Sequence, residues 1–236
     1  MVSDGLSVYN FGINRYICTI AKIKSTDMKS RLFIVLVLAA GVLAGCKAGS
    51  NEAAPAAMDV IMTRTSIRSF TGEAIPREQL ETILKAGMAA PSAMNVQPWR
   101  FVVLTDKEKI DELFGKGFRP EAYTSAGAVI IVCGQSTYMR KPWGQPDAPE
   151  ELAENIFWFE DCSAAAENIL LAAHALGLGA VWTAGYPAME RVAPLAEALG
   201  IPEDVKPLCV IPVGIPAENP APKDKWNPDN IHWDKW

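Results

Sequence analysis

Apolar positions recur along this chain with two periods, and the switches between them mark its elements. Met58 to Thr63 opens an apolar-periodic helix. Pro76 to Met88 places a proline in its first turn and Leu80, Ile83, Leu84 and Gly87 at helical spacing, which predicts a second helix. Arg100 to Thr105 is extended, and its apolar centre, Phe101 to Leu104, predicts a short buried strand. Asp106 is placed to cap a helix running through Phe114. Gly127 to Cys133 predicts a second apolar strand. Glu151 to Leu176, rich in Ala and Leu, predicts the longest helix, with Ala164-Ala165-Ala166 allowing close packing. Gly177 to Tyr186 turns into a strand, Ala188 to Leu199 is a helix ended by Gly200, and Pro207 to Gly214 is the last core strand. Two stretches break the pattern. Gln135 to Glu150 is irregular, with Trp143 and three prolines, and its length suggests a loop that shapes access to a site. From Ile215 onward the chain is Pro-rich and polar, carries Trp226, Trp233 and Trp236, and cannot make a core of its own.

The N-terminal region follows a different logic. Met28-Lys-Ser-Arg precedes an apolar run, Leu32 to Ala44, and then Gly45-Cys46. A basic start, a short apolar run and small residues form a secretory signal pattern, and the run is short for a membrane span. Leu43-Ala44-Gly45-Cys46 resembles the lipobox of bacterial lipoproteins. That resemblance implies cleavage before Cys46, acylation of its thiol and an anchor in the cell envelope, on the periplasmic face or the outer membrane. The alternative is an uncleaved apolar helix and a cytoplasmic protein. Residues 1–27 do not fit a signal peptide and read as an upstream extension, with Met28 as the start. Residues 28–45 form the signal, 46–57 a flexible tether rich in Ala, Gly, Ser and Pro, and 58–236 one domain that includes the arm 215–236.

Composition narrows the classes. The chain has 236 residues, half of them hydrophobic, enough for one domain with a proper core. Its formal charge is −5. Five of the 22 basic and two of the 27 acidic residues precede Cys46, so the rest carries about −8. That argues against a nucleic-acid partner, which needs a basic face. The five cysteines (Cys18, Cys46, Cys133, Cys162, Cys209) show no C-x-x-C spacing, and Cys133, Cys162 and Cys209 read as core-filling. With only two histidines, a His-based metal site or a Ser-His-Asp triad has little to draw on.

Three segments carry candidate chemistry. Arg64, Ser66 and Arg68 alternate, so an extended backbone projects all three to one side, where two guanidinium forks and a hydroxyl suit phosphate. A solvated basic face is the alternative. Ala89 to Trp99 is a polar, turn-rich loop stiffened by Pro91 and Pro98, offering Ser92, Asn95 and Gln97 beside Trp99. It suits a flat, heteroatom-rich ligand, or it is a helix-to-strand turn with Trp99 as a core anchor. Gly177 to Tyr186 holds three glycines that let backbone approach a ligand, but not in G-x-G-x-x-G order, so a Rossmann reading fails. Asp161 and Glu167 read as buried acids or as surface or capping groups, and His174 as a dipole partner or packing residue near a helix C-terminus.

Together, in this order and at these separations, the three segments resemble the nitroreductase family of FMN-dependent oxidoreductases, from about Val60 onward. The resemblance implies an α+β fold with a mainly antiparallel sheet flanked by helices, in an intertwined homodimer with two FMN sites at its interface. It implies that Arg64, Ser66 and Arg68 grip the FMN phosphate and ribityl chain. Pro91, Ser92 and Ala93 then reach the flavin of the partner subunit, Asn95 faces the ring system, and backbone near Thr183, Ala184 and Gly185 runs along it. The arm 215–236 lies on another subunit, where Lys223 and Lys225 match a basic pair near the phosphate. Lysine at the second position loses the bidentate fork that many relatives have there. The implied activity is ping-pong reduction of nitroaromatic or quinone-like acceptors by NAD(P)H or another donor, with the flavin carrying the chemistry. Reductive dehalogenation and flavin fragmentation also occur on this fold. The anchor creates a tension, since NAD(P)H is cytosolic. Other classes are a flavin-binding lipoprotein without turnover, as carrier or sensor, and a purely structural surface lipoprotein.

Overall fold

The computed structural model describes residues 57–236 other than Phe118 and the side chain of Ala184; the expectations for residues 1–56, Cys46 included, lie outside it. The first described helix, α1 (Ala57–Thr63), is followed by α2 (Arg77–Met88), strand β1 (Trp99–Leu104), α3 (Lys107–Phe114) and the short α4 (Glu121–Thr124). Then come β2 (Ala128–Gln135), the hairpin β3 (Thr137–Arg140) and β4 (Glu151–Glu154), and the long helix α5 (Trp158–Ala175). Two short strands, β5 (Gly179–Ala180) and β6 (Thr183–Ala184), precede α6 (Met189–Leu199) and β7 (Val205–Gly214).

The main sheet runs β1-β2-β7-β5, all antiparallel, with β6 also on β7. β2 explains the layering. Its run Ala128 to Cys133 shows no polar alternation, and every residue in it is buried, so helices must cover both faces. On one face Ile130, Val132, Ile211 and Val213 pack with Ile83 of α2 and Ile169 of α5. On the other, Val129, Ile131 and Val210 pack with Ile110 of α3 and with Leu195 of α6. Gly87 brings α2 against α5: a Cβ there would lie 3.0 Å from Ile169 Cγ1, and Asn168 Nδ2 donates to Ala86 O at 3.0 Å. This is the α+β fold, a mainly antiparallel sheet flanked by helices, that the family resemblance implies. Asp106 caps α3 as expected, accepting from the N–H groups of Glu108 and Lys109.

Two expectations change. The longest helix begins at Trp158, not Glu151, and the irregular stretch contains a strand. Glu151 to Glu154 has good helix formers, but cross-strand pairing with Thr137 to Arg140 outweighs propensity, helped by an Arg140–Glu151 ion pair at 3.3 Å. Asn155, nearly fully buried, then sets the helix start: its N–H donates to Ser136 O and its Oδ1 accepts from Phe157 N–H at 3.2 Å. At the other end of α5, His174 Nε2 lies 2.9 Å from Thr63 Oγ1. Burial, with Arg64 nearby, pushes its pKa down, which opposes a cationic role at the helix dipole.

The three described cysteines fill the core as expected. Burial pushes the thiols of Cys133 and Cys162 up to about 12, and that of Cys209 up as well. Thiolate is the reactive form, so an aromatic disulfide reagent at pH 8 is expected to leave all three unlabelled in the folded protein and label them in denaturant. Peptide mapping by mass spectrometry reads this directly.

Candidate functional site

The clamp strand starts where α1 stops. Ile67 N–H donates to Ala180 O at 3.1 Å and Ser66 bridges Ala180, so residues 64–68 lie extended along the sheet edge at β5. Ile67 is buried, while Arg64, Ser66 and Arg68, of opposite parity, keep solvent access, as the alternation predicts. Arg64 Nε sits 3.5 Å from Glu167 Oε1 on α5, which identifies Glu167 as a half-exposed partner of the clamp. Arg68 Nη1 donates to Ser66 O at 3.4 Å. The backbone N–H groups of Arg68 and Ser69 donate to Glu218 Oε1 at 2.5 and 3.2 Å. An anionic oxygen therefore already sits against this turn.

Gly177 to Tyr186 forms the adjoining wall. Two of its three glycines make room for the protein's own chain. A Cβ on Gly179 would lie 2.7 Å from Ile67 Cβ, and one on Gly185 2.8 Å from Leu208 O. The first glycine lets the clamp strand reach the sheet, and the second lets β6 turn against β7. Gly185 N–H donates to Leu208 O, and Thr183 Oγ1 to Val210 O at 2.6 Å. Thr183 and Gly185 nevertheless line one cavity with Arg68, of about 880 Å³. The structure thus brings together one clamp residue and two of this wall. Lys223 and Lys225 stand apart on the exposed arm and make no hydrogen bond or ion pair to the described residues. The arm pairs with the clamp strand only at its start, where Thr71 N–H donates to Ile215 O and Ala217 N–H to Ser69 O. Trp226, Trp233 and Trp236 are then 73, 81 and 98% exposed.

The central loop lies away from that cavity's lining. Pro98 and Trp99 anchor it in the core. Met94, Asn95 and Gln97 have φ of 52, 56 and 54°, the left-handed region that ordinary residues avoid. Such backbone costs on the order of 1–3 kcal/mol per residue and persists only where the surroundings enforce it. Here they do. Ser92 Oγ accepts from Gln97 N–H at 3.1 Å, Gln97 Nε2 donates to Asn95 Oδ1, and Tyr138 OH points to Met94 Sδ at 3.8 Å. Pro91 and Asn95 remain exposed.

One anchor of this loop is a residue that sequence reasoning left open. Asp161, in the first turn of α5, is 6% exposed, and its Oδ1 accepts from Ala93 N–H at 2.9 Å. Oδ2 has no hydrogen-bond partner among the described residues. Burial raises the carboxyl's pKa, opposed by the Ala93 bond and assisted by Glu160. The signal was present in the sequence: Trp158, Cys162 and Ala165 put Asp161 on the apolar side of its helix. A raised folded-state pKa means the native state holds the proton more tightly than the unfolded chain. Asp161 then contributes most stability below its ordinary carboxylate pKa and loses it as pH rises through the folded value. Asp161→Asn lacks that loss. Urea midpoints across pH 3–8 are expected to show a gap in the variant's favour that opens on the alkaline side and closes at acid pH.

Fold and site define a three-layer α+β domain with a cationic clamp on a sheet edge and a strained, side-chain-locked loop. The nitroreductase family profile matches residues 61–215. A protein of Methanothermobacter thermautotrophicus, described as an NADH dehydrogenase/NAD(P)H nitroreductase, is 40% identical over 76% of this chain and 87% of its own. A crystal structure of a protein of the same description from Bacteroides thetaiotaomicron shares 40% identity with a TM-score of 0.67, covering 77% of this chain and 99% of that one. The structure of an FMN-dependent nitroreductase from Clostridium difficile shares 26% with a TM-score of 0.63, covering 76% and 99%. This chain belongs to the nitroreductase family and is an oxidoreductase of nitroreductase type. The reading as a carrier without turnover gains nothing from these relatives.

Proposed function

We propose that this protein transfers two electrons from NAD(P)H or another donor to electron-poor acceptors, nitroaromatics or quinones, in a homodimer whose sites are completed by a second copy. For a quinone the net reaction is quinone + NAD(P)H + H⁺ → hydroquinone + NAD(P)⁺. Its cofactor is FMN, in keeping with the relatives described as flavin or FMN oxidoreductases. The donor set fits that group. Glu218 takes the Arg68 and Ser69 N–H groups, but the Arg68 guanidinium makes only one long hydrogen bond among the described residues, to Ser66 O, and with Arg64 and Ser66 it offers two guanidinium groups and a hydroxyl, suited to a phosphate and a polyol. When bound, FMN supplies the capacity to take and give an electron pair.

The chain's own residues bind and orient. Arg64, Ser66 and Arg68 hold the phosphate and ribityl chain, with Lys223 and Lys225 adding charge from an arm. Thr183, Ala184 and Gly185 flank the ring. Pro91, Ser92 and Ala93 reach across to the partner's cofactor, while Asn95 faces the ring. Donor and acceptor use one site in turn, which makes the kinetics ping-pong. The observation that carries this reading is the shared cavity of Arg68, Thr183 and Gly185. The strained loop and the exposed tryptophans of the arm point to a second copy. The test is anaerobic addition of NADH or NADPH to the purified yellow protein. Flavin absorbance is expected to bleach and to return with a quinone or nitroaromatic, with parallel initial-rate lines. Flavin that no donor bleaches would overturn the activity, and a flavin-loaded monomer in sedimentation would overturn the shared site.

We also infer lipidation of Cys46 and location in the cell envelope, from the signal pattern at residues 28–45. The physiological donor there is then a reductant other than cytosolic NAD(P)H. Metabolic labelling with a radioactive fatty acid is expected to mark the wild type and not Cys46→Ser; equal labelling would refute it.

A further inference from the structure

We propose that the acceptor is anionic: a flat aromatic bearing a carboxylate, sulfonate or phosphate, seated in the Arg68 cavity with its acid group held by Arg191. This rests on the oxidoreductase reading above and names the substrate class of that site. Four charged residues line the cavity: Arg68, Arg119, Arg191 and Glu112. With Arg68 assigned to the FMN phosphate, Arg119 and Arg191 remain against Glu112, so the part left to an acceptor is net positive, whereas the chain from Cys46 onward carries about −8. Guanidinium groups gathered at a cavity with low-dielectric walls focus the local potential and raise the concentration of anions there. Arg191, exposed in the first turn of α6, makes no side-chain hydrogen bond or ion pair to the described residues, so its fork is open.

The walls ask for a ring. Phe114 and Tyr123 stack with centroids 4.6 Å apart and planes 9° from parallel, and both line the cavity with Trp182, Val192 and Leu195. A neutral quinone or nitroarene would satisfy these walls alone and leave Arg191 unused. An anionic one satisfies both, since a guanidinium binds carboxylate, sulfonate or phosphate through two parallel hydrogen bonds. The space of about 880 Å³ lies within the range of small-molecule sites.

The test uses the FMN-loaded protein and two probes, 1,4-naphthoquinone and its 2-sulfonate, bound without donor and followed by calorimetry. The sulfonate is expected to bind at least tenfold more tightly. In Arg191→Gln that ratio should fall toward one, and in Arg191→Lys part of it should survive, because the charge remains and the paired geometry does not. Arg191 is exposed, so neither variant threatens the fold. Equal affinities in the wild type, or a preference unchanged in Arg191→Gln, would overturn the proposal. So would an Arg191→Gln defect confined to NADPH relative to NADH, which would assign the arginine to the donor. If the sulfonate preference holds but NADH or NADPH added afterwards reduces neither quinone, the proposed quinone reduction fails and the anionic site stands.

Discussion

Replacing Arg68 with glutamine is expected to raise the dissociation constant for FMN about 10- to 100-fold, because a hydrogen bond to a charged group contributes roughly 1.5–3 kcal/mol and each 1.4 kcal/mol is a factor of ten. Arg68 is the clamp residue that lines the cavity with Thr183 and Gly185, and its only side-chain hydrogen bond within the described residues is a long one to Ser66 O. Its fork is therefore available to a ligand. Arg64 is different: Glu167 engages its Nε, so Arg64→Gln also leaves a half-exposed carboxylate without its partner. The Arg64 effect should consequently be smaller and more sensitive to salt. Arg68→Lys should recover the charge but not the paired geometry. Titration of apoprotein, read by quenching of FMN fluorescence, measures all three. An Arg68→Gln constant within twofold of wild type would remove Arg68 from the cofactor site.

Gly134→Val should destabilise the protein by about 3 kcal/mol or more and weaken flavin binding together with it. A Cβ at Gly134 would lie 2.4 Å from Trp158 Cε3 and 2.8 Å from Cys162 Sγ, so the first turn of α5 has to move away from β2. Overpacking of this kind costs roughly 1–3 kcal/mol, and the second branch of valine adds to it. The displaced turn carries Asp161, which holds Ala93 of the central loop. The expected signature is a lower urea midpoint with an unchanged slope, accompanied by a higher FMN dissociation constant. Loss of stability with unaltered flavin affinity would break the proposed link between helix, Asp161 and loop.

Much of this fold was legible because its elements carry their own punctuation. Asp106 before α3, Gly200 after α6 and the proline opening α2 are local signals that tertiary contacts did not override. The unbroken apolar run from Gly127 to Cys133 marked β2 as a strand. The clamp was legible because alternation along an extended strand is a purely local property, and Ile67 turned inward as the period requires. The start of α5 was not legible. Glu151 to Glu154 has helix-forming residues, and only pairing with a strand more than ten residues upstream makes it β. What two of the glycines in residues 177–185 make room for was not legible for a similar reason. Their spacing is the same whether a ligand or another strand comes close, and here Ile67 and Leu208 fill that space.

By itself, then, the sequence determined which segments are helix and strand over most of the domain, the family to which the chain belongs, and which side chains could form a phosphate clamp. These rest on short-range rules, capping, periodicity and parity, that operate within a few residues. The tertiary structure alone decided that Asp161 is a buried acid tied to the central loop and that Glu167 faces Arg64. It alone gathered Arg68, Arg119 and Arg191 around one cavity beside a stacked aromatic pair. Those partners come from helices and strands far apart in the chain, and no local pattern encodes a meeting that only the closing of the three layers around β2 and β7 brings about.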